Sequence, residues 1–462
     1  MGLVTSCVSL DDQAADRVET FETTYAPAQV ELDLRTDLSI EPTGSICSHG
    51  GNIRCFAHVL VEESGAVQAF AAPKGFGPPD LQSAYNIDPN NLPAVVPTIA
   101  IVDAYGYAAL ESDLAAYRTQ YGLPPCTKAN ACLTVLNENG ATTPLPGEPP
   151  ANDDWTIETA LDVDMASAAC PKCKIMVVQA TDNAGNGLYN AQNAAAAAGA
   201  TVISNSWGGP EQGSVATSEP FFNHPAVAIF VAAGDNGYDD GGAGPDYPGT
   251  STYTIAVGGT HLVKSATARG WSETAWTMGG SACSLSVAKP GYQTASPCTF
   301  KATTDIAAVG DPASGLAIYN AKNGGWITVG GTSASSPFVA AIMAAGGNGS
   351  KTTGQFLAQN AAKLNDVVAG SNGTCTADGS LLCTAAVGWD GPTGYGTPNA
   401  TMLSSNIITG TGSGSGSGSG GDNGGTSAGS TSDIEGGCST SGGGAGLVLA
   451  LAVVAVARRR RR

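Results

Sequence analysis

The chain has 462 residues, of which 42% are hydrophobic and 13% are charged, and its formal net charge at pH 7 is −19. This length allows one large α/β domain with additional segments. Because five of the positive charges are clustered at residues 458–462, the rest of the chain is still more acidic, which argues against nucleic acid or an anionic membrane surface as a partner.

Residues 1–73 form the first predicted region, an acidic and irregular leader or short pro-segment with one disulfide loop. Residues 1–7 are too short to contain the apolar core of a secretory signal. However, residues 4–7 end like a lipobox. We therefore favour a secretory signal that is truncated because the start site is wrong, and an ordinary N-terminus is the alternative.

Ten of the twelve cysteines lie in close pairs along the chain, and only Cys7 and Cys438 are left over. This spacing is typical of local disulfides in an oxidising compartment. Zinc binding is a weaker alternative, because none of the four histidines has ligand spacing to a cysteine. A Cys-Pro-Lys-Cys sequence at residues 170–173 is similar to a redox motif, but it precedes an apolar strand instead of following one. The five pairs are Cys47/Cys55, Cys126/Cys132, Cys170/Cys173, Cys283/Cys298 and Cys375/Cys383.

Residues 74–405 form the main predicted domain, in which short apolar runs alternate with helical patterns. Near-continuous apolar strands separated by helices indicate an α/β fold with a doubly wound, mostly parallel sheet and helices on both faces. Each run ends in a loop with Gly, Asp or Ser, and such loops carry the sites of α/β proteins. The runs are residues 98–102, 175–178, 202–204, 228–232 and 254–257.

Residues 155–166 have the periodicity of a helix with two acidic side chains four positions apart, Glu158 and Asp162. This spacing puts both carboxyls on one face of the helix. Apolar neighbours indicate that the helix is mostly buried, where two like charges are costly unless they share a proton. One hypothesis is a pair with tuned pKa values that serves as a general base, and the alternative is two solvated carboxylates at a helix edge.

Two loops after apolar strands carry further candidate residues. Asp235 ends one apolar strand. Ser206, Trp207 and Gly208 follow another, and an extended peptide can pair with the backbone of such a loop. Taken singly, each loop can also be an ordinary turn.

The sequence Gly-Thr-Ser-Ala-Ser-Ser-Pro at residues 331–337 stands between a strand-like run and a helix-like run at residues 338–345. A serine there projects from a helix N-terminus, where an activated hydroxyl and an oxyanion site can be built together. The alternative is a capped helix start. No histidine lies at the start of a predicted helix from which it could face this serine, so a His-based triad is disfavoured. The spacing alone does not exclude His261 as the base.

The composition changes again after the main domain. Residues 406–436 are a Gly/Ser repeat, which is typical of a flexible linker. Residues 437–462 contain Cys438, an apolar run that is short for a membrane-spanning helix, and five arginines that fit a cytoplasmic stop signal. This tail resembles the sorting tails of myxobacteria, which are removed on surface anchoring. A simple C-terminal membrane anchor is the alternative.

Taken together, the motifs of the main domain resemble the sedolisin family of serine-carboxyl peptidases, which have a subtilisin-like fold. The match extends from about residue 75 to residue 398, and so many motifs in the same order make a chance match very improbable. Its parts are Gly-Pro-Pro-Asp-Leu-Gln-Ser-Ala-Tyr at 77–85, Ile-Val-Asp-Ala-Tyr at 101–105, Ser-Asn-Ser-Trp-Gly at 204–208, Tyr-Pro-Gly-Thr-Ser at 247–251, Ala-Val-Gly-Gly-Thr at 256–260, Asp-Ile-Ala-Ala at 305–308 and the sequence at 331–337.

The resemblance implies a role for each acidic or hydroxyl candidate. Ser333 falls on the nucleophile of the family, Glu158 on its base, and Asp162 on the residue that orients this base. Asp235 falls on the aspartate of the oxyanion site. These roles point to acidic operation, because a carboxylate base stays ionised where imidazole is protonated, and because Asp235 can donate to an oxyanion only while it is protonated.

The resemblance also implies which residues contact substrate. Ser206, Trp207 and Gly208 fall on the segment that pairs with the substrate backbone. Asp103 occupies the place of the triad aspartate of His-type subtilases, which is not the assigned acid in this family, so we interpret Asp103 as structural.

A structural calcium site is implied after the nucleophile helix. The ligands would be the side chains of Asp366 and Asp390 together with the carbonyl oxygens of Val367, Ala386 and Gly388. Carboxylates mixed with backbone oxygens suit Ca²⁺.

We therefore expect a secreted or surface-tethered acid endopeptidase, monomeric, with polypeptide substrates and with membrane contact only through its C-terminal tail. The alternatives are a His-dependent subtilisin-like hydrolase and a non-catalytic surface protein on a peptidase scaffold. The family usually carries a large N-terminal prodomain that assists folding and blocks the site, whereas about 73 residues precede the match here. The sequence leaves open a wrong start, folding without this helper, or a different activation.

Overall fold

The computed structural model describes residues 43–47, 53–151, 153–375 and 377–406, which belong to one compact unit. The predictions for the lipobox-like start, most of the N-terminal segment, the Gly/Ser linker after residue 406 and the C-terminal tail lie outside these ranges. Among the helices within them, none is both long enough and apolar enough to cross a membrane.

Strands and helices alternate through the middle of the chain. The strands are β1 Thr43–Ser45, β2 Arg54–Cys55, β3 His58–Leu60, β4 Ala69–Phe70, β5 Thr98–Ala104, β6 Leu133–Asn137, β7 Lys174–Ala180, β8 Val202–Asn205, β9 Trp207–Pro210, β10 Ala228–Ala232, β11 Asp246–Tyr247, β12 Thr254–Lys264, β13 Trp271–Ala275, β14 Cys283–Ala288, β15 Phe300–Ala302, β16 Thr304–Val309, β17 Leu316–Asn320, β18 Gly325–Gly330, β19 Leu364–Asn365 and β20 Thr397–Pro398. The α-helices are α1 Pro78–Ala84, α2 Leu110–Gln120, α3 Trp155–Ala169, α4 Asn186–Ala197, α5 Thr332–Ala345, α6 Gln355–Gln359 and α7 Ala400–Leu403. Short 3₁₀ helices cover Glu219–Phe221, Asp239–Gly242, Ala321–Asn323, Ala361–Lys363 and Ala377–Leu382.

The central sheet has the strand order β13-β12-β10-β8-β5-β7-β6, and β16 also pairs with β12. Every pair is parallel except β12 with β13. The five predicted apolar runs are confirmed as β5, β7, β8, β10 and β12. Helices α3, α4 and α5 contact these strands, which explains why the strands are buried almost throughout. The predicted α/β class with a mostly parallel sheet is confirmed.

Helix α3 is buried along its whole length although it carries several carboxyls. Asp154 caps its first turn by accepting a hydrogen bond from the backbone N–H of Thr156 at 3.1 Å. Glu158 and Asp162 follow on the same helix and are both 0% exposed. The two carboxyls are therefore interior groups, and the alternative of a solvated helix edge is wrong.

Helix α5 begins at Thr332, earlier than the helix-like run that starts at residue 338. The residue before it, Gly331, has φ = 115°, a conformation that glycine adopts without strain. Pro337 has no N–H for the carbonyl of Ser333, the residue four positions earlier. The hydroxyl of Ser206 donates to that carbonyl instead, at 3.2 Å, so the helix tolerates this proline near its start.

A second, antiparallel sheet joins the N-terminal segment to the strand that precedes α5. Its order is β1-β3-β18-β17, and β4 also pairs with β18. A small sheet of order β11-β9-β2 brings Arg54 and Cys55 alongside β9. The described residues of the N-terminal segment, 43–47 and 53–73, thus contribute strands to the sheets of the main domain.

The five cysteine pairs predicted from spacing are disulfides. They include Cys170–Cys173, which links the end of α3 to the start of β7. Cys7 and Cys438 lie outside the described residues.

Candidate active site

Ser333 lies in the first turn of α5 and is 0% exposed. Its hydroxyl donates to the carbonyl oxygen of Ser206 at 3.1 Å and accepts from the backbone N–H of Phe56 at 3.1 Å. Its own N–H donates to the carbonyl oxygen of Phe56 at 2.9 Å. The hydroxyl and the N–H of this serine therefore both contact one residue of the N-terminal segment.

Glu158 and Asp162 face Ser333 from α3. The two carboxyl oxygens of Glu158 make no hydrogen bond, yet the side chains of Ser333 and Asp162 are near enough to alter its pKa. Burial raises the pKa of Glu158 well above its ordinary value, and the charge of Asp103 raises it further. Burial and the charges of Asp103 and Glu158 do the same to the pKa of Asp162. The cluster therefore loses its first proton more readily than the next.

Asp103 is the third member of this carboxyl cluster. It is fully buried on β5, and burial raises its pKa to about 7. Neither of its carboxyl oxygens makes a hydrogen bond, although the side chain of Thr159 is near enough to lower its pKa. The family resemblance predicts a structural role for Asp103. Its influence on Glu158 and Asp162 depends on a contact between β5 and α3 that no sequence spacing reveals.

The hydroxyl of Ser206 connects α3 to α5. It lies 2.8 Å from Oδ1 of Asp162 and 3.2 Å from the carbonyl oxygen of Ser333. The hydroxyl has one proton and can donate it to only one of these two oxygens at a time. Both contacts are hydrogen bonds only when Asp162 is protonated and donates its own proton to the Ser206 oxygen. The raised pKa of Asp162 favours this arrangement.

Asp235 follows β10 and approaches the turn before α5. Its Oδ1 accepts hydrogen bonds from the N–H of Thr332 at 2.8 Å and from the Thr332 hydroxyl at 2.7 Å. Its Oδ2 makes no hydrogen bond and lies 3.6 Å from Nε2 of His58. Burial raises the pKa of Asp235 to about 7, against the effect of the Thr332 hydrogen bonds. A proton on Oδ2 is thus present at acidic pH.

Asp235 and Ser333 both approach the turn at Gly331, where the carbonyl oxygen of Phe56 lies. A Cβ atom added at Gly331 would collide with this oxygen and would lie 2.7 Å from Oδ2 of Asp235. The two oxygens therefore flank the same point beside Gly331, and the N–H of Ser333 also points at the carbonyl. The N–H of Ser333 and the carboxyl of Asp235 are therefore candidate donors to an oxyanion.

The backbone of the predicted substrate-binding segment, residues 206–208, pairs with the N-terminal segment. The indole of Trp207 is buried and donates to the carbonyl oxygen of Val102 at 2.8 Å. The carbonyl of Ser206 accepts from the N–H of Phe56 at 3.1 Å, and Gly208 pairs with Arg54.

The described histidines do not bond to Ser333. Nδ1 of His261 lies 3.0 Å from Oδ2 of Asp311 and 3.3 Å from the hydroxyl of Ser314, while His224 bonds to the carbonyl of Phe221. His58 approaches Asp235 as described above, and His49 lies outside the described residues. The structure thus gives the His-dependent alternative no geometric support within its described ranges.

The implied calcium ligands fall in two segments that the fold brings together. The N–H of Gly388 donates to Oδ2 of Asp366 at 2.9 Å, and the N–H of Ala386 donates to Oδ2 of Asp390 at 3.0 Å. Burial raises the pKa of Asp390 to about 7, and the charge of Asp366 acts in the same direction. Two neighbouring carboxyls that repel each other fit a bound cation. The described residues contain no cluster of three or more His, Cys, Asp and Glu side chains that could hold a metal, so the remaining ligands would be carbonyl oxygens such as that of Val367.

Comparisons with known proteins bear on the family and the fold. Residues 151–371 match the Subtilase family. Kumamolisin from Bacillus sp. (strain MN-32) is 31% identical over 379 residues, which cover 73% of this chain and 64% of kumamolisin, so the chain spans less than two thirds of that relative. Sedolisin from Pseudomonas sp. (strain 101) is 25% identical over 423 residues, which cover 83% of this chain and 69% of sedolisin. The solved structure of Pseudomonas sedolisin, complexed with two molecules of pseudo-iodotyrostatin, superposes with a TM-score of 0.58 at 23% identity, over 72% of this chain and 98% of that one. The fold is therefore subtilisin-like.

Proposed function

Because these relatives and the shared fold support the sedolisin family of serine-carboxyl peptidases, we propose that this chain is a serine-type endopeptidase that hydrolyses polypeptides at acidic pH. One observation carries this proposal. Ser333, Glu158, Asp162 and Asp235 come from three separate parts of the chain and are all buried, with Glu158 beside Ser333 and Asp162, and with Asp235 bonded to Thr332, the residue before Ser333. A His-containing triad has no comparable support in the described residues.

The proposed reaction starts with attack of the Ser333 hydroxyl on a peptide carbonyl carbon. In the structure this hydroxyl is hydrogen-bonded to Ser206, so it must turn towards Glu158, which takes its proton as the oxygen attacks. Asp162 is the positioning residue, since it borders Glu158 and is itself held by Ser206. Glu158 then returns the proton to the leaving amine, and water hydrolyses the acyl-enzyme through the same groups.

The oxyanion that forms during attack would be stabilised by the N–H of Ser333 and by the protonated carboxyl of Asp235. A pKa of about 7 keeps Asp235 protonated at acidic pH. The raised pKa of Glu158 also means that the base depends on the carboxyl cluster as a whole, because only part of the cluster is ionised in acid. Glu158 is therefore not a lone carboxylate that simply stays ionised in acid.

Casein hydrolysis from about pH 3 to about pH 8 tests this function. We expect Ser333→Ala and Glu158→Gln each to lose roughly 10⁴-fold or more of the wild-type rate, since members of a nucleophile–base unit fail together. His261→Ala serves as the matched control and should keep full activity. Full activity of Ser333→Ala would refute the proposal, and loss of activity in His261→Ala would favour the His-dependent hydrolase. A folded wild-type protein without hydrolysis at any pH would instead indicate a non-catalytic scaffold.

We further propose a structural Ca²⁺ ion held by the carboxylates of Asp366 and Asp390 and by the carbonyls of Val367, Ala386 and Gly388. The ion would offset the repulsion between the two carboxyls and fix the loops that carry them. Adding a chelator to the Ser333→Ala protein should lower its Tm, and added Ca²⁺ should restore it. Asp366→Asn should make Tm insensitive to the chelator. A Tm that does not change when chelator is added to the Ser333→Ala protein with Asp366 intact would refute the site.

The proposed location is the cell exterior or surface. The five disulfides support an oxidising compartment. Monomeric state, sorting by the C-terminal tail and its membrane contact stay predictions from the sequence.

A further inference from the structure

The N-terminal segment lies as an extended peptide in the cleft between β9 and Ser333. Arg54 and Cys55 form β2, which pairs antiparallel with β9. The N–H of Phe56 continues this pairing by donating to the carbonyl oxygen of Ser206 at 3.1 Å, and its carbonyl oxygen accepts from the N–H of Ser333 at 2.9 Å. Phe56 therefore marks the place of a substrate residue beside the nucleophile, and the residues before it show where earlier substrate residues run.

A further contact holds this peptide three residues before Phe56. The side-chain amide of Asn183, in the loop between β7 and α4, donates to the carbonyl oxygen of Ile53 at 3.3 Å. If Phe56 is counted as the first residue before a cut bond, Ile53 is the fourth. Strand β9 holds the peptide by backbone pairing as far as Arg54, and Asn183 adds a side-chain contact one residue beyond it.

Asn183 is itself held in one orientation. Its Oδ1 accepts a hydrogen bond from the hydroxyl of Tyr105 at 3.2 Å, so its Nδ2 is turned towards the peptide. Nδ2 carries two protons, and besides the carbonyl of Ile53 it donates to Oδ2 of Asp153 at 3.1 Å. Burial raises the pKa of Tyr105, which keeps its phenol protonated as the donor. The amide is therefore oriented by the protein rather than by the peptide.

Tyr105 has an unusual backbone conformation. It follows β5 and has φ = 65°, in the left-handed region that non-glycine residues rarely adopt. Its N–H donates to the carbonyl oxygen of Ala180, the last residue of β7, at 2.7 Å. Backbone conformations of this kind are concentrated at ligand sites. Because β5 and β7 are parallel neighbours, their ends bring Tyr105 and Asn183 to the same edge of the sheet.

The contact with Ile53 lies in a buried place. Ile53 is only 5% exposed, and its Cδ1 would lie 3.4 Å from a Cβ added at Gly185. Gly185 has φ = 105° and stands immediately before α4. A hydrogen bond that is shielded from water in this way is stronger than an exposed one.

We propose that Asn183 binds the backbone carbonyl of the fourth substrate residue before the cut bond, so that the enzyme acts on chains with at least four residues before that bond. This inference rests on the proposed peptidase function and deepens it by assigning the substrate length. A substrate whose free amine lies on the third residue has no such carbonyl, and the Nδ2 proton of Asn183 is then left without an acceptor. Interior bonds of long polypeptides are therefore preferred, and release of tripeptides from a free N-terminus is disfavoured.

The test uses three peptides that share the sequence Arg-Ala-Phe before the cut bond and an identical segment after it. The first begins with the free amine of the arginine, the second carries an acetyl group on that amine, and the third is extended by an isoleucine. The acetyl group supplies the carbonyl of the fourth residue without its side chain. We expect kcat/KM to be roughly 3- to 10-fold higher for the acetylated than for the free-amine peptide, as one additional hydrogen bond implies. The isoleucine peptide should be cut at least as well as the acetylated one.

Variants assign this difference to the amide. In Asn183→Ala, the ratio of kcat/KM between the acetylated and the free-amine peptide should approach one. Tyr105→Phe keeps the amide but no longer fixes its orientation, and should lower the ratio by a smaller factor. Asn190→Ala changes an exposed asparagine of the nearby α4 and should keep the wild-type ratio. Because every peptide must displace the same residues 53–56, the cost of that displacement cancels in the ratio.

The outcomes separate this inference from the proposed function. Equal rates on the three peptides in the wild type would overturn the role of Asn183 and leave the peptidase intact, even if a variant does not fold. A merely structural role would lower all three rates alike in Asn183→Ala and leave the ratio unchanged, which would also overturn it. Faster cleavage of the free-amine peptide, or a casein digest that consists mainly of N-terminal tripeptides, would show that the site binds a chain end instead. If neither casein nor any peptide is cut, the peptidase function itself fails.

Discussion

The two carboxyl oxygens of Asp235 have different surroundings. Oδ1 is occupied by the N–H and the hydroxyl of Thr332, so a proton on this carboxyl belongs on Oδ2, beside the carbonyl of Phe56. Burial raises its pKa to about 7. The protonated donor is therefore present below about pH 7 and is lost as the pH rises through that value.

An asparagine at this position would donate at every pH. We expect Asp235→Asn to keep measurable activity. Between about pH 6 and about pH 8, its kcat/KM should decline much less than that of the wild type. Asp235→Ala is the matched variant without a donor, and it should lose roughly 10²–10³-fold at acidic pH. A pH profile of kcat/KM for the three proteins measures this. An Asp235→Ala protein as active as the wild type would remove Asp235 from the oxyanion site.

Helix α3, which carries the buried carboxyl pair, begins with a capped first turn. Asp154 caps the helix through the Thr156 N–H, and it also binds Lys322 at 3.1 Å and Asn323 at 3.0 Å. Burial alone raises the pKa of Asp154, but the hydrogen bonds from Asn323, Thr156 and Lys322 together lower it. The stabilisation from this group is therefore present above the unfolded pKa and is lost as the pH falls.

Removing this cap should destabilise the protein. We expect Asp154→Ala, placed in the inactive Ser333→Ala protein, to reduce the free energy of unfolding by about 1 kcal/mol at pH 6, as loss of a helix cap does. The reduction should be smaller at pH 3. Asp154→Asn retains a capping oxygen and should change stability less. Urea denaturation at both pH values measures these differences, and an equal effect at pH 3 and pH 6 would contradict the assigned pKa direction.

Several buried carboxyls make the folded protein more stable at acidic than at neutral pH. Burial raises the pKa values of Asp103, Asp235 and Asp246 from 3.8 to about 7. Between these pH values the folded state holds protons that the unfolded chain releases, so the free energy of unfolding falls as the pH rises. The lowered pKa of Asp154 acts in the opposite direction.

This charge arrangement gives a direction for stability. We expect the Tm of the Ser333→Ala protein, which cannot digest itself, to be highest near pH 4 and to fall steadily towards pH 7. Differential scanning calorimetry at constant ionic strength measures it. A Tm that rises over this interval would show that these three carboxyls do not dominate the pH dependence.

The strands of the core can be predicted from the sequence, whereas contacts between residues far apart in the chain cannot. Apolar runs predict the central strands, because burial on both faces leaves a local pattern. The pairing of Phe56 with Ser333 joins residues 277 positions apart and leaves no such pattern. Asp103 is similar, since its effect on Glu158 arises from strand and helix packing. The early start of α5 depends on the Ser206 hydroxyl, which replaces the donor that Pro337 lacks.

The continuous chain from Phe56 through β3 makes occupation of the cleft an intramolecular event. A peptide tethered so closely has an effective concentration on the order of millimolar or more, so a dilute external substrate competes poorly with it.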